Sequence, residues 1–559
     1  MTEGASWALR RSRDSVGVLT LPALMATAAS ERTRTVLFII AGGVLALLLS
    51  HHPAILSGLR LVQGDEGDIR FNHYILEHGW RFVSGDPAHA RFWDPPMFHP
   101  EPNVAAFSDV LLGVAPFYWA WRVLGLGADV SWQLWALTMA ALNYGSAVWL
   151  LRRGFGLGVL PSVVGALLFT AGAPRINQLN HPQLEGQFFA LLAVGAVVAL
   201  TRPETDRRRG VAWAALLVGA FVAQLYAGFY WGWFLFFFLL LAFIAGLVMR
   251  DTRGPLMTAL RCHLPALAGF GVVGLALLAP LVLHSRQAIS TVGLRTFADV
   301  SPMVPRFWSW FFVGQDSWLY GWTNGFSQFQ RIHMSWEHRL GLGLVTPVLA
   351  GLGLWRARSR PAVRVLLVLA VASLLLASRY TGGHTPWWFI FHGVPGAAAI
   401  RALARIGVWL LVPAAVGLAL FLQRQWESGR AALAVGLGAL CLLEQGLSGP
   451  AYDRHESRAD VEAVAARIAP GCAAFFYAPT SGEAPEWKYH LDAIWASAER
   501  GVPTVNGYSG NSPRGWELQD NRRFDAEAAA RIDRELESWM RSRDLAPASV
   551  CRIEVPARR

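Results

Sequence analysis

Lysine is almost missing from this chain: Lys488 is the only one, so nearly all of the 49 basic residues are arginine. Charged residues of either sign are also scarce, at 16% of 559 positions, against about 25% in an ordinary soluble domain. That shortage of solvating groups, beside 54% hydrophobic residues, excludes a water-soluble globular protein of the usual kind. Neither an internal repeat nor a low-complexity linker is present, which counts against the related halves of many transporters. There are four cysteines. Cys262 and Cys441 fall at an arginine-bearing loop and inside an apolar run. Cys472 and Cys551 each open a strand-like stretch, where a bridge in an oxidising compartment and two free thiols are both compatible with the pattern.

What is abundant is apolar sequence in runs of about 15 to 21 residues, each long enough to cross or nearly cross a hydrocarbon layer of roughly 30 Å. The net charge of +11 does not point to nucleic acid, because many of the arginines sit in short loops between apolar runs, which is the positive-inside signature. Placing the loops 152–153, 202–209, 250–261, 356–364 and 424–430 in the cytoplasm predicts about eleven crossings. They fall near 36–50, 131–150, 158–173, 187–201, 211–227, 229–249, 264–283, 340–355, 363–377, 403–422 and 431–448. The arginine-bearing segment 1–35 is then a cytoplasmic tail before an uncleaved first span, and the C-terminus lies outside the cytoplasm. A candidate at 104–124 would invert every later loop. With Asp109 and Pro116 inside it, the segment is expected to be interfacial or re-entrant.

The expected architecture is an all-α polytopic membrane protein with interfacial helices, residues 36–448 forming its transmembrane part. The stretches 53–103, 174–186, 284–339 and 378–402 face outward. Residues 449–559 form a small α/β domain on the same side, with helices near 459–468, 489–499 and 526–541 and strands near 472–477, 502–505 and 550–555. The tryptophans and phenylalanines of 284–339 suit an interfacial aromatic belt.

The densest chemical signal follows the first span: Gly64-Asp65-Glu66-Gly67-Asp68, then Glu77 and His78. Three carboxylates within four residues repel one another, so they call for a cation, a proton, a cationic partner or water. They could hold a divalent cation through oxygen or take a proton from a hydroxyl; the metal question stays open at this level. A rigid stretch rich in proline and aromatics, 92–103, follows and suits an ordered loop over a site. The turn 174–186 packs Arg175, Gln178, His181, Gln183 and Glu185 between two spans, where polar side chains suit the lining of a cavity. Glu337 closes the third outward loop. Arg401 and Arg405, four residues apart, are expected on one helical face at the outward start of a span, where two guanidiniums can grip a phosphate.

This layout, an acidic motif in a long first outward loop followed by a helix along the membrane, resembles the C-type superfamily of membrane glycosyltransferases. Gly64-Asp65-x-Gly67-Asp68 with Glu77-His78, Pro395-Gly396-x-x-Ala399-Ile400-Arg401 and Asn506-Gly507-Tyr508-Ser509-Gly510 look like a bacterial branch of it. The resemblance implies an integral protein of the inner membrane that moves a sugar from a polyprenyl-phosphate donor to an acceptor glycan, lipid or protein. It implies Asp65 or Asp68 as the base, with Glu66, Glu77, His78, Arg175, Gln178, His181, Gln183, Glu337, Arg401 and Arg405 around the substrates. The chain departs from the Asp-Glu pair of the best-known members by its third acid, so Asp65, Asp68 or neither remains open as the base. A flippase of a lipid-linked sugar and a non-catalytic scaffold are the competing readings.

Overall fold

The computed structural model describes residues 21–558; the first twenty residues of the expected tail lie outside them. The chain is mostly helical. Among the described residues, eight helices are long and apolar enough to cross a membrane: Glu31–Leu56, Ala128–Gly154, Val159–Ile176, Pro182–Leu200, Arg207–Ala227, Phe229–Val248, Arg250–Val292 and Leu403–Glu427. These match eight of the expected crossings. The other three appear as shorter helices, Val345–Arg356 and the apolar Pro361–Ala377 and Ala431–Leu443. The first of them starts late for a visible reason. Glu444, at the end of Ala431–Leu443, accepts from the N–H groups of Leu344, Val345 and Thr346 at 2.8, 2.9 and 2.7 Å. A carboxylate in that place satisfies the free donors of a helix N-terminus and complements its dipole. In the doubtful segment the longest helix is Ala115–Val123, nine residues, or about 14 Å of rise, too short to cross.

The arginine-bearing loops meet at one end of the bundle. Arg202 donates to the carbonyls of Arg153 and Gly154 at 2.6 and 2.7 Å, and Arg364 pairs with Asp251 at 2.5 Å. The acidic loop and the C-terminal segment meet at the other end. Helix Arg250–Val292 has 43 residues, about 65 Å at the usual rise, roughly twice the hydrocarbon thickness. It therefore runs on into the expected loop 284–339, where His284 stacks on Trp93 at 3.9 Å and exchanges hydrogen bonds with Asn103.

The C-terminal segment is not packed as a separate unit. Strand β1 (Leu61–Gln63) pairs antiparallel with β2 (Ala451–Asp453), and β3 (Ala474–Tyr477) pairs parallel with β4 (Val550–Ile553). The expected strand at 502–505 is reduced to one bridge, Phe475 to Thr504. Helix Asp68–Val83 of the first loop is buried along most of its length. Its Ile69, Phe71 and Tyr74 share one core with Trp132, Trp135, Phe475, Ile494 and Trp495. Arg70 meets Asp492 at 2.8 Å across this contact, and the lone Lys488 is buried between Asp460 and Asp492 at 2.7 and 3.0 Å. Buried charges persist when they are paired in this way.

Cys472 and Cys551 are joined by a disulfide that closes a separation of 79 residues, which decides between the two readings of these cysteines. Because such a link restricts the unfolded chain, replacing both cysteines by alanine is expected to lower stability by about 2–5 kcal/mol. Thermal unfolding of the two forms in detergent checks it; equal midpoints would mean the bridge does not stabilise the fold.

Candidate active site

The acidic motif folds as a tight turn. Gly64 adopts a φ of +100° that L side chains rarely take, and a Cβ there would collide with Ile69 and Asn180. The amide of Asp65 donates to Asn180 Oδ1 at 3.1 Å, and Asp65 Oδ1 accepts from the amide of Gly67 at 2.9 Å. Asp68 then opens helix Asp68–Val83, where a carboxylate is favoured by the helix dipole.

The turn separates the three acids into three environments. Both oxygens of Asp68 are engaged: Oδ1 accepts from the Tyr508 hydroxyl at 2.8 Å and Oδ2 from His181 Nδ1 at 2.9 Å. Burial works against its charge, but the His181 hydrogen bond and charge, then the Tyr508 hydroxyl, hold its pKa below the usual aspartate value. Asp65 stays open to solvent at its surface, yet desolvation, followed by the charges of Asp68 and Glu66, pushes its pKa up. Glu66 points elsewhere, into a groove beside Trp487.

From Asp68 the network runs inward. His181 Nε2 is 3.0 Å from Arg405 Nη2 and 3.4 Å from Glu337 Oε1. With Nδ1–H given to Asp68, Nε2 accepts from the guanidinium when the ring is neutral and donates to Glu337 when it is charged. Burial and Arg405 oppose the charged ring, but Asp68 and Glu337 outweigh them and raise its pKa. Arg405 grips Glu337 with Nη2 and Nε at 2.9 and 3.3 Å, and its guanidinium lies 5.0 Å from the Tyr230 ring centroid. Against burial, Arg405 and then His181 hold Glu337 well below the ordinary glutamate pKa.

Arg401 and Arg405 do not share a helical face. Arg401 precedes the helical backbone, whereas Arg405 ends the 3-10 turn Leu403–Arg405 that opens the bundle helix, so the two guanidiniums have different surroundings. Arg405 is buried and neutralised by Glu337. The Arg401 side chain is partly exposed and outside any ion pair, while its amide and that of Ala402 both donate to the Tyr230 hydroxyl at 3.0 Å. Its companion is Arg295, just past the long helix, which donates to the carbonyl of Ala399 and to Asn511 at 3.1 and 3.2 Å. Burial, then the nearby charges of Arg401 and Arg405, hold Arg295 below the usual arginine pKa.

Other expected residues go elsewhere. Glu77 pairs with Arg81 and Arg122, each at 3.1 Å, and accepts from Tyr118 at 2.7 Å. His78 meets His89 at 2.8 Å and the carbonyl of Phe92 at 2.9 Å. Both sit on later turns of the helix, about 14 Å of rise from Asp68, and hold the loop together. Arg175 binds Glu185 at 2.9 Å and Gln187, tying the turn that carries His181. Gln178 and Gln183 belong to the same turn, and their side-chain oxygens have no partner. Asp109, absent from the expected set, accepts from the amide of Phe229 at 2.6 Å, and burial pushes its pKa up to about 6. Tyr508 lies within a motif visible in the sequence. Tyr230 and Arg295 carry no local signal, since only packing brings them here.

Among the described residues, no three His, Cys, Asp or Glu side chains converge to hold a metal ion. Asp68 and Glu337 face His181 and Arg405.

No family model and no curated protein sequence matches the chain. Solved structures do share its fold. It is similar to the archaeal oligosaccharyltransferase AglB from Archaeoglobus fulgidus, in complex with an inhibitory peptide and a dolichol-phosphate. That match covers 91% of this chain and 69% of the other, with a TM-score of 0.52 at 11% identity. It is also similar to two structures of the arabinofuranosyltransferase AftD from Mycobacteria, over 83% and 85% of this chain, with TM-scores of 0.49 and 0.50 at 13% and 14% identity. The chain spans only 31% and 33% of those AftD chains. At these identities the likeness is one of fold alone, shared with these solved structures.

Proposed function

We propose that this protein is a membrane glycosyltransferase that moves a sugar from a polyprenyl-phosphate-linked donor to a hydroxyl acceptor at the outer face of a bacterial inner membrane. The observation that carries the reading is a pair of guanidiniums, Arg295 and Arg401, that have no ion-pair partner among the described residues and lie near Asp65 and Asp68, at the end of the bundle opposite the short arginine-bearing loops. Arginines left unneutralised beside carboxylates suit an anion that arrives with a substrate.

In the step we assign to this site, the acceptor hydroxyl gives its proton to Asp65 as its oxygen bonds to the anomeric carbon of the donor. The bond from that carbon to the phosphate oxygen breaks, and its electron pair leaves with the polyprenyl phosphate. The charge gained by the phosphate rests on Arg401 and Arg295. Asp65 suits the base because one of its oxygens is free, it reaches solvent and its pKa is raised. A base with its pKa moved towards neutrality accepts a proton more readily. Asp68, with both oxygens occupied, positions His181 and through it Arg405.

The test is chemical. Protein purified in lipid nanodiscs is expected to carry a polyprenyl phosphate, identified by mass spectrometry, and to release one when given a polyprenyl-phosphate sugar and a hydroxyl acceptor. Absence of any polyprenyl species, with no turnover of added donor, would remove the transferase reading.

A further inference from the structure

Arg306 and Arg379, outside the acidic-motif network, meet without a counter-ion. They are bridge partners where two turns run side by side, and the amide of Arg379 donates to the carbonyl of Pro305 at 2.7 Å. The Arg306 guanidinium donates to the carbonyl of Arg331 at 2.9 Å. That of Arg379 lies over Gly383, where a Cβ would sit 3.1 Å from Nη2. Both side chains are partly exposed, and neither forms an ion pair among the described residues.

The surrounding sequence has no acid left for them. Residues 378–402 contain no aspartate or glutamate, and 284–339 contain only Asp299, Asp316 and Glu337. Asp316 pairs with Arg339 at 2.7 Å, and Glu337 is taken by Arg405. Asp299 accepts from the amide and the hydroxyl of Thr296 at 2.7 and 2.9 Å. Burial, then the charge of Arg379, hold Arg306 below the usual arginine pKa. Two like charges kept together by the backbone call for an anion between them.

Their depth is that of a lipid headgroup. Helix Pro361–Ala377 has 17 residues and rises about 25 Å, from the arginine-bearing loop 356–364 to a point just before Arg379. That rise is close to a hydrocarbon thickness of roughly 30 Å, so Arg379 stands at the far edge of the apolar layer. Beside the pair, the rings of Phe307, Trp308, Phe311 and Tyr380 are exposed. Open aromatic rings suit the zone between acyl chains and headgroups, where arginine side chains reach lipid phosphates. The turn is also tied inward: Ser309 Oγ and the carbonyl of Pro302 hold His338, the neighbour of Glu337, at 2.9 and 3.0 Å.

We propose that Arg306 and Arg379 form a site for the phosphate of an anionic phospholipid, in the leaflet opposite the short arginine-bearing loops. The phosphodiester lies between the two guanidiniums, which offer paired N–H donors, and the acyl chains lie against Phe307, Trp308 and Phe311. A choline headgroup carries its own cation beside the phosphate and is disfavoured by the second guanidinium. A lipid held there fixes the depth of the turn that packs on His338, and with it the loop that supplies Glu337. The site is separate from the donor phosphate assigned to Arg295 and Arg401, and it does not depend on sugar transfer.

Photolabelling in nanodiscs tests this. The full chain is placed in phosphatidylcholine with a trace of photoreactive phosphatidylglycerol, or of photoreactive phosphatidylcholine with the same acyl chain, and labelled peptides are mapped by mass spectrometry. The stretch 264–283 of helix Arg250–Val292 is largely exposed, meets any lipid and serves as the reference within each sample. The ratio of phosphatidylglycerol to phosphatidylcholine labelling in 305–311 and 378–389 should exceed that reference roughly thirtyfold, the conversion of about 2 kcal/mol for two basic side chains at an anionic lipid. Arg306→Gln with Arg379→Gln should bring it down to the reference. Unlabelled phosphatidylglycerol in excess should displace the label, and inorganic phosphate should not. A parent ratio no higher than the reference overturns the site without any variant, and so does a ratio that survives the double substitution. Displacement by inorganic phosphate, or by stoichiometric polyprenyl phosphate, overturns the phospholipid assignment.

Discussion

Asp65→Asn is expected to slow sugar transfer by roughly 10²–10⁴-fold, the contribution of a positioned general base, which corresponds to about 3–5 kcal/mol of barrier. The fold should be unaffected. The side chain is exposed, and its one hydrogen bond, from the Gly67 amide to Oδ1, can be accepted equally well by the asparagine oxygen. Donor binding should also persist, because Arg295 and Arg401 are untouched. The pH profile carries the more specific signature. Asp65 must be ionised to take a proton, and its raised pKa means that activity falls with decreasing pH above the ordinary aspartate range near 3.9. The residual activity of Asp65→Asn should lack that acid limb. Single-turnover rates with pre-bound donor over a range of pH measure both effects. A variant that turns over at the parent rate would falsify the assignment of Asp65.

Arg405→Gln and Arg401→Gln are expected to fail in different ways, although the residues are four apart. Arg405 and Glu337 are 5% and 3% exposed, and removing one partner of such a pair leaves the other charge buried and unpaired. The usual loss is about 3–5 kcal/mol, so Arg405→Gln should unfold at a markedly lower temperature or fail to accumulate. A double variant, Arg405→Gln with Glu337→Gln, should recover much of that loss, which separates an ion-pair effect from general damage. Arg401 is partly exposed and outside any ion pair, so Arg401→Gln should change stability by no more than about 0.5 kcal/mol. Its effect should fall on donor affinity, by about 1.5–3 kcal/mol for one charged hydrogen-bonded contact, or roughly 10- to 100-fold. Thermal unfolding in detergent and donor titration of the same samples check the contrast. Equal stability of both variants, with equal loss of donor affinity, would put Arg405 on the phosphate and contradict the division made here.

That contrast also marks how far the sequence reached on its own. Long apolar runs dictate membrane helices, because a backbone in hydrocarbon must satisfy its own hydrogen bonds, and eight of the expected crossings are helices of sufficient length. The acidic motif, the polar turn with His181, and Glu337 and Arg405 were legible as clusters of polar side chains beside such runs. Their division of labour was not. Asp65, Glu66 and Asp68 are neighbours in sequence, yet the turn at Gly64 and Gly67 sends one to solvent, one to a groove and one to His181. Glu77 and His78 read as part of the same motif, but a helix carries them away to meet Arg122 and His89. Arg401 and Arg405 have the spacing of one helical face, but Arg401 lies before the helical backbone, which opens as a 3-10 turn at Leu403–Arg405. Arg295, Tyr230 and Trp487 carry no local pattern that distinguishes them from any other arginine or ring near a membrane surface. Periodicity and composition act through local backbone and burial preferences, so the sequence by itself determined a polytopic helical protein and the location of its acidic loop. Which charges neutralise one another and which remain for a substrate depends on contacts between residues hundreds of positions apart, such as Asp68 with Tyr508 and His181 with Arg405, and only the tertiary structure decided those.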